Sequence, residues 1–262
     1  MRRGSRAVGT TTRRRQHYWL ARAAALIVSV WLAVGSGCSD GTSAPAPADT
    51  AAPAVATHPA DSESSAKSAK AARRASELPV VLFLGTSLTA GYGLPSEEAF
   101  PALLQQRIDQ IPLPYRVVNA GVSGDTSAGG LRRLDWLLRM PVAVLVLELG
   151  ANDMLRGLGV EAMEQNLRTI LARTREANPD VRFVISGMQA APNLGATYAS
   201  EFNATYPRLA DEYDAALIPF LLDGVAAIRQ LNQPDGIHPT AEGHRIVADT
   251  VWSVLEPVLR AH

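Results

Sequence analysis

Pro79-Val-Val-Leu-Phe-Leu-Gly-Thr-Ser-Leu-Thr-Ala-Gly-Tyr-Gly93 begins as an unbroken apolar run and turns abruptly at Gly85 into glycine and hydroxyl residues. An apolar run without alternation suits a strand buried on both faces, the kind found inside a parallel sheet covered by helices. Downstream, short β-branched runs alternate with longer amphipathic ones. Phe100–Ile108 has apolar residues at helical spacing, Tyr115–Asn119 reads as a second strand, and Leu131–Leu138 lies in a second helix. Val142-Ala-Val-Leu-Val-Leu-Glu-Leu149 is the clearest central strand. Val160–Ala177 predicts a long helix stopped by Asn178-Pro179, Val181–Ile185 a fourth strand, Glu201–Tyr213 a helix, Ala216–Ile218 a short fifth strand and Ala241–Leu259 a closing helix. This alternation predicts one α/β domain over residues 79–262, with a mainly parallel sheet and helices on both faces.

In such sheets chemistry gathers beyond the carboxyl ends of the strands. Four polar blocks fall there. They are Gly85–Gly93 after the first strand, Asn119–Thr126 after the second, Gly150-Ala-Asn-Asp153 after the third, and Asp235-Gly-Ile-His-Pro239 just before the last helix. Acyl transfer needs a nucleophilic oxygen, a base, a group to orient the base, and donors aimed at the oxyanion. The domain contains three histidines. His262 is terminal and His244, inside the predicted last helix, reads as a solvated helix residue, which leaves His238 at a loop–helix junction. Asp235, three residues before it, can reach Nδ1 across a tight turn and hold Nε2 toward a nucleophile, for which Ser87 is the natural candidate. The backbone N–H groups of Ser87 and Gly124 and the Asn152 amide would be the oxyanion donors. Each block taken alone has a plain structural reading: a turn at Ser87, a β-turn at Asp235-Gly236, a helix cap at Asn152-Asp153, a positive φ at Gly124. Their joint occurrence in this order is what favours chemistry. The α/β-hydrolase elbow fails because Thr89 stands where Gly-X-Ser-X-Gly needs glycine, and a Ser–Lys dyad fails because the domain has no lysine.

The ordered set resembles the SGNH (GDSL-type) hydrolase superfamily, and within it the acyl-CoA thioesterase I / lysophospholipase L1 / arylesterase group. The likeness runs through Leu84–Pro95, Asn119–Thr126, Leu147–Gly157, Tyr206–Phe220 and Asp235–Pro239. It implies a flavodoxin-like three-layer sandwich with a five-stranded parallel sheet. It also implies Ser87 as nucleophile, Ser87, Gly124 and Asn152 as oxyanion donors, His238 as base and Asp235 as its partner. Expected substrates are short-to-medium acyl esters, aryl esters, thioesters and lysophospholipids. Met188, Pro192, Leu194 and Tyr198, after the fourth strand, are expected to line an acyl groove, with core packing as the alternative for Met188. Two other readings are an O-acetyl esterase of envelope glycans and a binding module with a decayed site. The family block Gly-Asp-Ser-Leu is here Gly85-Thr86-Ser87-Leu88. Threonine keeps a hydroxyl acceptor but loses the charge, so a less rigid nucleophile turn with retained activity is expected.

Composition narrows the rest. The whole chain has 262 residues, 47% hydrophobic, with 25 basic and 25 acidic residues and one cysteine. Beyond Leu78 the charge is uneven: 14 arginines against 20 acids. A net-acidic domain lacks the basic stripe that nucleic acids need. No cofactor is called for, and the lone cysteine and few histidines give no plausible metal ligand set. Upstream, residues 1–37 carry seven arginines and no acid, and Ala23–Val34 is apolar. Twelve residues at about 1.5 Å each give roughly 18 Å, short of the ~30 Å hydrocarbon core, as in a secretory signal. Gly35-Ser36-Gly37-Cys38 resembles a bacterial lipoprotein signal, in which Cys38 would take a lipid and tether the protein to the cell envelope on its periplasmic side. Gly35 stands where leucine is usual, so an ordinary signal or an uncleaved anchor remains an alternative. Residues 38–78, rich in Ala, Pro, Ser and Thr, read as a flexible tether.

Overall fold

A computed structural model describes residues 77–261. Cys38, the signal segment and the tether up to Ser76 lie outside them, as does His262. Five strands form one parallel sheet in the order β2-β1-β3-β4-β5: β1 Val80–Gly85, β2 Arg116–Gly121, β3 Val142–Glu148, β4 Arg182–Ser186 and β5 Ala216–Ile218. The order reverses at β1, so the crevice beyond the carboxyl ends opens between the loops that follow β1, β2 and β3.

The seven α-helices among the described residues are α1 Ser87–Ala90, α2 Phe100–Asp109, α3 Ser127–Leu137, α4 Ala151–Leu155, α5 Val160–Ala177, α6 Ala196–Tyr213 and α7 Ala241–Arg260. Helix α2 packs on α7, and α3 on α5, which in turn packs on α6. Right-handed crossovers on a sheet that winds both ways from β1 place these groups on opposite faces, giving three layers. The central strands bear out the double-sided burial: Val80, Val81, Leu82, Phe83 and Leu84 are wholly buried, as are Val144 and Leu145 of β3. Edge strand β2 stays half-buried along most of its length.

Two helices begin earlier than periodicity suggests. Helix α3 starts at Ser127, capped by the Thr126 hydroxyl accepting from the Gly129 N–H. Gly129 and Gly130 weaken helix propensity, but the small residue is needed, because a Cβ on Gly130 would meet Leu149 Cδ1 at 2.4 Å. Helix α6 starts at Ala196, five residues before its apolar stripe becomes dense.

Candidate active site

Four loops at the carboxyl edge carry the site. Strand β1 delivers Ser87 as the first residue of α1, whose N-cap is Thr86; the Thr86 hydroxyl accepts from Leu88 N at 3.4 Å. The last block folds into a tight turn in which Asp235 Oδ1 accepts from the N–H groups of Ile237 at 2.9 Å and His238 at 3.0 Å. Its Oδ2 lies 2.7 Å from His238 Nδ1, and His238 Nε2 lies 2.9 Å from Ser87 Oγ. Carboxylate, imidazole and hydroxyl therefore form one continuous relay. The His238 ring contact, followed by the two backbone N–H donors, holds Asp235 down from 3.8 to about 2. An imidazole so held carries its proton on Nδ1 and offers Nε2 as an acceptor to the hydroxyl.

The relay is anchored from the side by Gln233. Its backbone N–H donates to His238 O at 2.7 Å, and its Nε2 donates to Tyr92 O at 2.7 Å and Pro239 O at 3.0 Å. The Tyr92 ring leans over the imidazole at 4.6 Å between centroids.

Opposite the relay stands the loop after β2. Gly124 has φ +81°, a conformation that glycine reaches at little cost. Three side chains hold this loop. Asn152 Nδ2 donates to Asp125 O at 2.8 Å, Arg156 Nη2 to Gly124 O at 2.7 Å, and Arg133 Nε to Asp125 Oδ2 at 2.7 Å. Arg133 Nη2 also donates to Gly85 O at 3.0 Å, so one guanidinium ties the first block to the second. Among the described residues, the backbone N–H groups of Ser87 and Gly124 have no acceptor within the chain, and Asn152 Nδ2 has one of its two hydrogens spent. Asp153 does not cap its own helix, whose N-cap is Gly150 and which has no side-chain cap. It reaches across to α3 instead, accepting from Ser127 N at 2.8 Å and Ser127 Oγ at 2.6 Å, and so fixes the helix that bears Asn152.

Two residues depart from the sequence reading. His244 is not solvated: it is 1% exposed, its Nδ1 accepts from Phe100 N at 3.2 Å, and its ring stacks on Phe100. Burial pushes it down to about 4, so it is neutral and structural. Helix α7 is amphipathic, and position 244 falls on its inner stripe beside Val247, Ala248 and Val251. That spacing was the available signal. Glu148, hidden in the apolar spelling of β3, is the second. It is 1% exposed, and its carboxylate accepts from Thr86 N at 2.8 Å, Thr86 Oγ1 at 3.0 Å, Thr89 N at 3.2 Å and Thr89 Oγ1 at 2.7 Å. Burial raises its pKa, against the pull of those hydrogen bonds. The carboxyl group that Thr86 lacks thus reaches the Ser87 turn from the neighbouring strand.

Of the expected groove residues, Met188 is buried in the core and Leu194 packs half-buried against it. Pro192 opens a 3-10 turn, Pro192–Leu194, and the Tyr198 hydroxyl donates to Leu158 O at 3.0 Å. Among the described residues no group of three or more His, Cys, Asp or Glu is arranged to hold a metal ion.

The GDSL-like Lipase/Acylhydrolase family description matches residues 83–246, more than half of the chain. The chain belongs to that family. Esterase TesA of Pseudomonas aeruginosa is 40% identical over 180 residues, covering 68% of this chain and 89% of that protein. Thioesterase 1/protease 1/lysophospholipase L1 of Escherichia coli is 41% identical over 188 residues, covering 71% and 88%. The crystal structure of TesA superposes with a TM-score of 0.65 at 39% identity, over 68% of this chain and 99% of that one. As a GDSL-like acylhydrolase the chain is a hydrolase of ester bonds, on the α/β fold that its sequence predicts.

Proposed function

We propose that this GDSL-like hydrolase is a serine esterase that cleaves acyl esters or thioesters through an acyl-Ser87 intermediate. The observation that carries the reading is the unbroken relay from Asp235 through His238 to Ser87, with contacts of 2.7 and 2.9 Å. His238 Nε2 removes the Ser87 proton as Oγ attacks the acyl carbon. The imidazolium, stabilised by the ionised Asp235, then protonates the departing alkoxide or thiolate. Water repeats the cycle on the acyl-enzyme and returns the proton to Ser87. The developing oxyanion is met by the unspent N–H groups of Ser87 and Gly124 and by the Asn152 amide. Treatment with a fluorophosphonate probe tests this: one equivalent should label the wild type and none the Ser87→Ala variant. Labelling that survives Ser87→Ala ends the proposal.

For substrate we favour aryl esters, thioesters and lysophospholipids with short-to-medium acyl chains. In support, the site loops and the segment just after the third expose large apolar side chains: Tyr92, Val122 and Ile237, and then Leu155 and Leu158. Such a surface suits a hydrocarbon chain better than a sugar. A chain-length series of p-nitrophenyl esters set against acetylated sugars discriminates the two, with rates rising beyond acetyl expected here.

We further propose export and lipid attachment at Cys38, with residues 38–78 as a tether between anchor and enzyme. The arginine-rich head, the apolar run too short to span and the small residues before Cys38 support this. Among the described residues no helix is long and apolar enough to cross a membrane. Metabolic labelling with a fatty-acid analogue, lost in Cys38→Ala, is the expected result; equal labelling of both forms refutes it.

A further inference from the structure

We infer that Glu148 is a positioning residue for the nucleophile, and that it aims Ser87 by absorbing the other donors of the turn that carries it. The inference rests on the reading of Ser87 as nucleophile. Strand register sets the arrangement up: Gly85 at the end of β1 pairs with Glu148 at the end of β3. The side chain of Glu148 crosses the place where position 85 would otherwise carry a Cβ. An alanine there would meet Thr89 Oγ1 at 2.0 Å and Glu148 Oε2 at 2.6 Å. Gly85 is therefore the gap through which a buried carboxylate reaches the next strand's turn.

The donor count of that turn follows. A four-residue helix leaves its first N–H groups without intrahelical partners. Thr86 N and Thr89 N go to Glu148, Leu88 N goes to the Thr86 hydroxyl, and Ala90 N closes on Thr86 O. The N–H left over is that of Ser87, the one needed by an oxyanion. The Thr86 hydroxyl donates to Glu148 while accepting from Leu88 N. Glu148 thus fixes both the direction of Ser87 Oγ and the availability of Ser87 N–H without touching substrate. The same strand end leads, four residues on, to Asn152, so both sides of the oxyanion pocket are set from one point of β3.

The test compares Glu148→Ala, Glu148→Gln, Thr86→Val and Thr86→Ser with wild type and Ser87→Ala. Each is measured by fluorophosphonate labelling rate per folded molecule and by separate kcat and KM for a p-nitrophenyl ester. Misaimed nucleophiles lose orientation rather than binding, so Glu148→Ala should label about 30-fold or more slowly with KM within about threefold of wild type. Glu148→Gln should recover to within about fivefold of wild type, because its carbonyl oxygen takes the two N–H donors and its amide donates to the Thr86 hydroxyl. If Glu148→Ala does not fold, the threonine pair decides: Thr86→Val should lose about tenfold in kcat and Thr86→Ser should restore it. Folded Glu148→Ala within threefold of wild type, or equal kcat in the two Thr86 variants, overturns the inference. With Ser87→Ala unlabelled in that case, the nucleophile assignment stands and only the role of Glu148 falls; labelled Ser87→Ala removes both.

Discussion

Replacing Asp235 by asparagine exchanges one oxygen of the relay for an NH2 group and leaves everything else in place. The side chain has two tasks: Oδ1 receives the N–H groups of Ile237 and His238, and Oδ2 receives His238 Nδ1. An asparagine can serve only one of them. With its oxygen on the backbone donors, the amide NH2 faces Nδ1, the ring proton moves to Nε2, and the ring presents a donor to Ser87 Oγ where an acceptor is required. Turning the amide to restore the tautomer points NH2 at two backbone N–H groups, at roughly 1–3 kcal/mol each. The competent state is then depleted by about 30-fold to 10⁴-fold, the lower half applying because water reaches this exposed turn. Loss of the ionised partner of the imidazolium removes roughly another 1.5–3 kcal/mol. We therefore expect Asp235→Asn to lower kcat by about 10³-fold at pH 7.5, with KM little changed and the thermal midpoint retained. The assay is p-nitrophenyl ester turnover alongside a thermal melt by circular dichroism. A loss under tenfold in a folded variant refutes the reasoning.

Three further outcomes are expected. Asn152→Ala should reduce kcat by roughly 10²–10³-fold while urea unfolding changes little, since one oxyanion donor is worth on the order of 2.7–4 kcal/mol and its structural bond to Asp125 O is partly exposed. His244, depressed to about 4, takes up its proton more readily unfolded than folded, so its stabilisation is complete above the ordinary value of 6.5 and is lost as pH falls toward 4. At 1.36 kcal/mol per pK unit that is on the order of 3 kcal/mol; urea titrations at pH 7.5 and 4.5 should show the gap shrink by this amount in His244→Gln. Thr86→Asp sets two carboxylates in one buried place, which must share a proton, so one pKa is raised and stability is lost as pH rises. Between pH 5 and pH 8 the variant should lose roughly 1–3 kcal/mol more than wild type in the same titrations.

The sheet was legible because its central strands are spelled as apolar runs and its helices as 3.6-residue stripes, so the five strands emerge within a residue or two of their observed bounds. The misplaced starts of α3 and α6 share a cause: Gly129-Gly130 and the Ala-Thr-Tyr-Ala-Ser stretch after Gly195 have weak local preference, and tertiary packing makes the choice. The relay residues could be read from chain order because each ends a strand or precedes a helix. Glu148 went unread although an acid inside a doubly buried strand must be paired, which is itself a signal. What no pattern in the sequence supplies is the identity of its partners, since register between β1 and β3 decides them.

Asp235 and His238 share a single turn, whereas Ser87 arrives on a separate element. Acid and base consequently travel as a rigid unit, and thermal breathing falls mainly on the gap between imidazole and hydroxyl. Warming should therefore silence this hydrolase by drawing one turn away from one helix start, before the fold itself gives way. A bond engineered between the Tyr92 and Gln233 segments would raise the temperature at which turnover stops more than the temperature at which the chain melts.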